Sequence, residues 1–508
     1  MPIASCGGAA VIDIRRRQRN FGDGFIRETV DELWEDWMRH ADAMLADEEL
    51  LETIHHALLQ RRPRSRTHGR PGTPAEVVLR MLLLKHIRDW SFAELEREVR
   101  GNLLYREFTR IGGEKVPDAK TLGRLAQALG PEVIEKLHAR IVALAQERGV
   151  VKGKRMRADT TVVETNIHYP TDSSLMGDGV RVLTRLMKTV TEIAGDAGAR
   201  LRDRTRSVQR RLIEIGRASR SKGQGAMEKM KTAYGKLLET TSRVVGQAKK
   251  FSVEIAGGVK RAAQALKQAR LDGLKRELDT FVERTGQVIQ QTKARVFDNN
   301  THAEEKLVSI FEPETEIIRK GKAGKPTEFG KMVKIQEAEN QIITAYEVYE
   351  QRPNDKDLLV PSVEIHQQRL DRVPAMVAGD AGFCSAQGEA QAQDMGVKRV
   401  SVPNRSTRSP ERRRLQKQPW FRKGQKWRTG CEGRISILKR RHGLRRSRYK
   451  GNAGMKRWVG LGLISDNLIN IGRALAPVIA LSPFILPAAL APRRNPQPFP
   501  KIDFCAGK

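Results

Sequence analysis

Three acidic residues stand in local surroundings that could bring their carboxylates to one catalytic centre. Asp159 lies inside the β-branched run 158–163, where an acidic residue is unusual and its burial would need compensation. Asp380 directly follows an apolar stretch that ends at Ala378, so a strand would place it at its carboxyl end, where ligand crevices form. Glu432 stands between two glycines before a helical apolar pattern. This pattern predicts that a helix begins there and turns the carboxylate inward.

The chemistry that suits these three acids is metal-assisted phosphoryl transfer. Carboxylate oxygens bind hard divalent cations such as Mg²⁺ and Mn²⁺, and two such ions can assist attack on a phosphodiester. Taken one at a time, each acid has a plainer explanation, since an aspartate beside a glycine is more often a turn residue than a ligand. Spacing along the chain does not establish that the three converge.

Composition points to a polyanionic partner. The 508 residues include 93 Lys and Arg against 60 Asp and Glu, a formal charge of +33. Such an excess repels itself unless nucleic acid or another polyanion neutralises it, although a merely soluble basic protein remains the alternative. Aromatic residues make up 5% of the chain, which argues against a single-strand binder that stacks bases on aromatic platforms.

Cysteine spacing and hydropathy bear on the setting in which the chain works. The four cysteines show no spacing typical of zinc sites or disulfide frameworks, which favours a reducing cytoplasm. We find no secretory signal pattern, and the apolar stretch 474–491 is interrupted by Pro477, Pro483 and Pro487. We therefore expect no membrane span.

The first 150 residues have helical patterns and capping signals. Thr73 with Glu76, and Ser91 with Glu94, have the spacing of capping boxes, and a further helix is predicted from Asp118 to a break at residues 130–131. Short helices that carry arginine and lysine suit a DNA groove, but a plain helical scaffold explains them equally well.

Alternating strands and helices are predicted after residue 150. A β-rich run at 156–163 is followed by helical periodicity over 178–295, and residues 181–295 hold 27 basic and 11 acidic side chains. That insert is either a basic binding surface or a solvated coiled-coil face. Further predicted elements are a hairpin at 331–349, a helix at 362–370, a strand at 373–378, a helix at 386–395, a strand at 397–402, a mobile basic loop at 404–429 and a helix at 458–475.

Three sequence blocks resemble those of a known family. The run 158–173 closely resembles the first-aspartate block of bacterial insertion-sequence transposases with an RNase-H-like DDE core, particularly the ISNCY-like group, and 379–383 resembles the second block. In the third block, Arg428, Glu432 and Lys439 have the family's intervals, while Gln425 stands where the family has a tyrosine.

The resemblance implies a function and a set of site residues. It implies a DNA transposase that cleaves and joins strands, with Asp159, Asp380 and Glu432 as catalytic residues and ligands of two Mg²⁺ or Mn²⁺ ions. Its expected partners are double-stranded transposon ends and target DNA, bound by a homodimer in the cytoplasm. The DNA-binding residues expected in and beside the third block are Arg428, Lys439, Arg434 and Arg440. Two alternatives stay open, a non-catalytic DNA-binding regulator and a structure-specific RNase-H-like nuclease.

The implied fold is an α/β RNase-H-like core with a mixed sheet, an all-α N-terminal domain and a long helical insertion. We expect the following segments: an N-terminal helical region and basic linker at 1–72, a helical DNA-binding domain at 73–150, the first part of the core at 151–178, the insertion at 179–298, the rest of the core at 299–476 and a proline-rich tail at 477–508.

Five further side chains near these blocks have plainer explanations than catalysis. His168 is read as a turn residue, and Cys384 and Cys431 as packing residues, because thiolates are poor ligands for Mg²⁺ or Mn²⁺. Trp420 and Trp427 could stack on a distorted DNA end, but packing explains them more simply.

Overall fold

Among the described residues before residue 150, every regular element is a helix. The computed structural model describes residues 12–16, 21–61, 72–221, 225–300, 306–319 and 326–476. The predicted basic linker around Arg64 and the tail at 477–508 lie outside these residues. The helices are α1 (Phe21–Val30), α2 (Asp36–Leu45), α3 (Glu48–Gln60), α4 (Ala75–Ile87), α5 (Phe92–Gly101), α6 (Leu103–Phe108), α7 (Ala119–Ala128) and α8 (Pro131–Glu147).

All three predicted helices form, and the capping residues of two of them are confirmed. Ser91 and Glu94 form a complete capping box before α5, and the Asp118 side chain caps α7 by accepting from two backbone N–H groups. The capping box at Thr73 is wrong. The chain caps α4 at Pro74 without a side-chain bond, because Glu76 turns inward and accepts a 2.9 Å hydrogen bond from the buried Arg80.

A mixed sheet of six strands forms the second half of the fold. The strands are β1 (Arg155–Glu164), β2 (Glu316–Arg319), β3 (Thr327–Glu337), β4 (Ile343–Val348), β5 (Met376–Ala378) and β6 (Arg399–Ser401). Their order is β2-β3-β1-β5-β6, and β4 also pairs with β3. β3 is antiparallel to its neighbours, while β1, β5 and β6 are parallel to one another. The predicted α/β class and the 331–349 hairpin are confirmed.

A helical bundle interrupts the sheet between β1 and β2. Its helices are α9 (Asp172–Ala194), α10 (Thr205–Ala218), α11 (Ala226–Ala256) and α12 (Ala265–Val296). Apolar residues at helical spacing, among them Leu237, Val244 and Phe251, are fully buried in a core that belongs to this bundle. The bundle therefore has its own hydrophobic interior, separate from those of the sheet and of the N-terminal helices.

The helices that follow β4 carry the chain along the sheet and back to the N-terminal helices. They are α13 (Leu359–Leu370), α14 (Ala386–Asp394), α15 (Pro410–Lys417), α16 (Pro419–Arg441) and α17 (Gly451–Leu475). The mobile loop predicted at 404–429 is wrong, because α15 and most of the first half of α16 lie there. Pro419 starts α16, and Phe421 anchors it as a buried side chain, so the high basic charge did not prevent a helix.

The last helix, α17, packs against both the N-terminal helices and the sheet. Leu461, Leu468 and Ile471 join the core formed by the N-terminal helices, whereas Val459 and Leu463 pack with residues of β3 and β4. The N-terminal helices and the sheet are thus joined through one buried helix. Among the described residues, no helix has the length and apolar character needed to cross a membrane.

Candidate active site

Asp159 lies in the middle of β1, on a strand that is covered from both faces. Its side chain is 11% exposed, and the Thr160 backbone N–H donates to one carboxylate oxygen at 2.7 Å. Helix α16 packs over this part of the sheet, so the aspartate sits at the boundary between strand and helix. The unusual acid in a β-branched run is therefore placed at the rim of a cleft.

Asp380 follows β5 at its carboxyl end, as the sequence predicted. Its carboxylate accepts a 2.8 Å hydrogen bond from the Gly382 backbone N–H and caps the short helical turn 381–383. A Cβ at Gly379 would lie 3.3 Å from Phe383 and Val402, so glycine allows the chain to pass closely there. These contacts fix the turn that presents Asp380.

Glu432 occupies the middle of α16, which corrects the prediction that it begins a helix. The side chain is 58% exposed, so the expectation that it points into the core is also wrong. It accepts a 2.8 Å hydrogen bond from Arg428, one turn earlier on the same helix. The helix continues through Gly430 and Gly433, and Cys431, which lies between them, is fully buried.

These three carboxylates line a single open cleft of about 450 Å³. Three of the four basic side chains expected to bind DNA, Arg428, Lys439 and Arg440, line it as well. Arg428 also makes a 3.4 Å ion pair with Asp159, so its guanidinium links the strand acid to the helix acid. Five further residues line the cleft that were not predicted as site residues, namely Thr160, Thr161, Arg405, Ile435 and Ser436. Ser436 could have been found, since it is one helical turn after Glu432.

Gln425, which replaces the family's tyrosine, joins α16 to the strand ends that carry the site. Its side-chain amide donates to the Gly379 carbonyl at 3.3 Å and to the Ser401 hydroxyl at 3.1 Å, and also bonds the Ser401 carbonyl. The residue thus holds the carboxyl ends of β5 and β6 against the helix. The sequence marked this position only as a departure from a pattern.

Arg434 does not line the cleft, which contradicts its predicted role in DNA binding. It is 3% exposed and makes a 2.9 Å ion pair with Asp466 of α17, and it also bonds Gln341. His442 lies 3.5 Å from the same aspartate. The side chain projects toward the inside of the fold because residue 434 falls on the buried stripe of α16, away from the face of residues 428, 432 and 439.

A second buried ion pair lies directly beneath the cleft. Arg157, two residues before Asp159 on β1, bonds the fully buried Glu337 of β3 and the Trp427 carbonyl. Burial raises the pKa of Glu337, and the guanidinium of Arg157 opposes that shift. Arg157 thus joins α16 to the sheet through the Trp427 carbonyl, while the Arg434 pair joins α16 to α17.

The tryptophan, cysteine and histidine side chains near the three blocks contact other parts of the protein and do not line the cleft. Trp427 packs beneath the guanidinium groups of Arg155 and Arg157, at 5.0 and 4.9 Å. Cys431 is fully buried, and burial, followed by the nearby Glu337 and Asp159, raises the pKa of its thiol. Cys384 is partly buried and lies 3.8 Å from Glu389. His168 is 3.3 Å from the Ser174 hydroxyl at the start of α9, so side chains rather than backbone contact it.

The cleft offers the oxygen ligands that divalent cations prefer, but not a preformed cage. Within the described part of the chain, no three acidic, histidine or cysteine side chains are grouped closely enough to hold an ion. Arg428 lies between Asp159 and Glu432. The acidic groups that line the cleft are carboxylates, and no thiol of the described residues lines it. This donor set fits Mg²⁺ or Mn²⁺, provided that Arg428 moves from its present position.

Comparison with protein families identifies two parts of the chain. Residues 35–128 match the model of a transposase domain (DUF772), and residues 383–471 match that of a transposase DDE domain. The chain therefore carries two stretches that match transposase domains, the second of the DDE type. The second match begins just after Asp380 and includes Glu432, so the third acid lies inside the matched domain.

One curated relative matches part of the chain. It is described as the uncharacterized protein ORF8 in the nfe locus of Rhizobium meliloti, and it is 29% identical over 148 residues. The alignment spans 26% of this chain and 72% of the relative. No solved structure matches the chain.

Proposed function

We propose that the chain is a DNA transposase whose cleft cleaves strands at transposon ends and joins them to target DNA. One observation carries the proposal. Asp159, Asp380 and Glu432, which come from three distant segments, line one open cleft with the cations Arg428, Lys439 and Arg440. A surface that only binds phosphate has no need of grouped carboxylates. A cleft that combines carboxylates with cationic side chains suits the binding of a phosphodiester together with metal ions.

We also infer that the catalytic core is RNase-H-like. The supporting feature is the strand pattern, in which the long β3 is antiparallel to both β4 and β1, and β1 continues in parallel to β5 and β6. Asp159 lies on the central strand of this arrangement, and Asp380 follows its parallel neighbour. The parallel register places Arg157 opposite Ala378, so Asp159, two residues further along β1, lies level with Asp380, two residues after Ala378.

Each group in the cleft has a distinct task in this proposal. Asp159, Asp380 and Glu432 would hold two divalent cations, which when bound supply activation of the attacking oxygen and stabilisation of the leaving oxygen. Lys439 and Arg440 would bind the phosphates on either side of the cleaved bond. Lysine does so as a compact positive charge, and arginine through the paired N–H donors of its planar guanidinium. Arg428 would exchange its carboxylate partners for a phosphate when the cations are present.

DNA cleavage assays test the assignment of the acids. The substrate is a labelled duplex that carries the DNA flanking this coding region, incubated with Mg²⁺ or Mn²⁺. We expect Asp159→Asn, Asp380→Asn and Glu432→Gln each to reduce cleavage by at least about 10²-fold, since each removes a charged metal ligand. Glu364→Gln is the matched control, because Glu364 is an exposed acid on α13 outside the cleft. Wild-type activity in any of the three acid variants would refute the assignment.

The same assay separates the two competing functions. A nuclease of this fold would cleave but would not join a supplied 3′-hydroxyl end to a second duplex, whereas a transposase does both. A regulator would bind the duplex without metal-dependent cleavage. We further infer that two copies act together on two transposon ends, which cross-linking of the DNA-bound chain would test.

A further inference from the structure

A second basic groove lies at the other end of the sheet from the cleft. It has a volume of about 420 Å³, and it is formed where β1, β5 and β6 begin and where α16 starts. Five cations line it, together with Trp420 and an apolar floor at residues 375–376, and no acidic residue does so. The cations are Lys154, Arg155, Lys398, Arg399 and Lys423.

The charge of this groove is not compensated by the protein around it. All five side chains are exposed, and within the described residues no carboxylate makes an ion pair with any of them. The nearest acid on the β3–β4 turn, Glu339, accepts from the backbone N–H groups of residues 152–155 instead. Five like charges in one small groove repel each other, and a polyanion would relieve that repulsion.

Aromatic packing gives two of the cations a fixed position. The Arg399 guanidinium lies over the Trp420 ring at 5.6 Å, and the Arg155 guanidinium lies over the Trp427 ring at 5.0 Å. A stacked guanidinium keeps its edge free to donate to phosphate oxygens. The groove is therefore a prepared anion site rather than a set of freely moving surface charges.

The position of the groove connects it to the cleft. The path along β5 from Ala375 to Asp380 is about 16 Å, at roughly 3.3 Å per residue. Between the two sites, the outward side of α16 carries the exposed Arg422 and Lys426, and Glu432 is the one acid among the residues of this helix. A single partner with regularly repeated phosphates can thus contact both sites.

We propose that this groove binds the phosphate backbone of the same DNA that occupies the cleft, at least about five nucleotides from the cleaved bond, taking 3.4 Å per nucleotide along a strand. The choice of DNA as partner rests on the proposed function. The existence of an anion site does not, because it follows from the five cations and their packing.

Equilibrium binding to a duplex of about 40 base pairs tests the groove. The triple variant Lys398→Gln, Arg399→Gln and Lys423→Gln is compared with a control that removes the same charge from exposed positions elsewhere, Lys136→Gln, Arg148→Gln and Lys356→Gln. Both carry Asp159→Asn and are measured in EDTA, so catalysis plays no part. We expect the groove variant to bind at least about tenfold more weakly than the control, with a salt-dependence slope smaller by about two to three.

A charge-retaining variant guards against misfolding as the cause. Lys398→Arg with Lys423→Arg, which leaves the stacked Arg399 in place, should bind within about threefold of the parent chain, because phosphate contacts by charge survive the exchange. Equal affinity of the groove and control variants would overturn the proposal. If the groove variant loses binding while the wild-type chain never cleaves DNA, the groove stands and the transposase chemistry fails. Normal cleavage with no groove effect refutes the groove alone.

Discussion

Arg428 and Asp159 are 269 residues apart in sequence, yet their side chains form an ion pair of 3.4 Å across the floor of the cleft. The same guanidinium donates to Glu432 at 2.8 Å. One cation therefore offsets the repulsion between two carboxylates that the proposed function assigns to metal ions. The arginine and the divalent cations would compete for the same oxygens.

Replacement of Arg428 should separate metal binding from catalysis. In Arg428→Gln the competing cation is gone, so we expect Mn²⁺ to reach half-saturation at a concentration about tenfold lower, equivalent to roughly 1.4 kcal/mol. Cleavage at saturating metal should nevertheless fall by about 10²-fold, because a phosphate contact is lost. Calorimetric titration with Mn²⁺ and single-turnover cleavage measure the two effects. An unchanged metal affinity would show that Arg428 does not compete with the ions.

The buried ion pair between Arg434 and Asp466 should contribute strongly to stability. Both side chains are 2% exposed, so Asp466→Ala would leave an uncompensated buried guanidinium. We expect the free energy of unfolding to fall by about 3–5 kcal/mol. The pair between Lys456 and Glu350 is the matched control, since those side chains are 37% and 64% exposed and Glu350→Gln should cost less than about 1 kcal/mol. Urea denaturation followed by tryptophan fluorescence compares the two, and similar losses would contradict the prediction.

Lys85 should make stability depend on pH. Its amino group lies 4.5 Å from the Trp458 ring centre, 5.1 Å from that of Phe92 and 5.4 Å from that of Tyr449. Burial, and then the nearby Arg448, lower the pKa of Lys85 from 10.5 to about 7. Between these values the unfolded chain holds a proton that the folded chain has released. The free energy of unfolding therefore rises with pH across this window, and this contribution is absent below it.

Lys85→Met removes the titrating group and keeps most of its volume. Urea midpoints of the two chains, measured from about pH 6 to about pH 9, should converge as the pH rises, with the methionine variant the more stable at the acidic end. Parallel curves for the two chains would show that Lys85 does not titrate in this range.

Local patterns in the sequence determined much of the fold. The alternation of apolar residues predicted β1, the β3–β4 hairpin and α17, because periodicity reflects which side of an element is buried. The capping residues Ser91 and Asp118 fixed two helix starts, since a cap depends only on neighbours in sequence. The sequence also marked Asp159, Asp380 and Glu432 as candidate acids, through blocks that resemble a family.

Tertiary structure decided how those acids meet and which cations accompany them. The sequence predicts a basic loop over the first half of the helix that carries Glu432, because the docking of this helix depends on Phe421 and on the Arg428–Asp159 ion pair rather than on a local apolar pattern. Arg434 and Arg440 look alike in sequence. The rotation of one helix on the sheet buries Arg434 against Asp466 and leaves Arg440 lining the cleft, since contacts between residues far apart in the chain set that rotation.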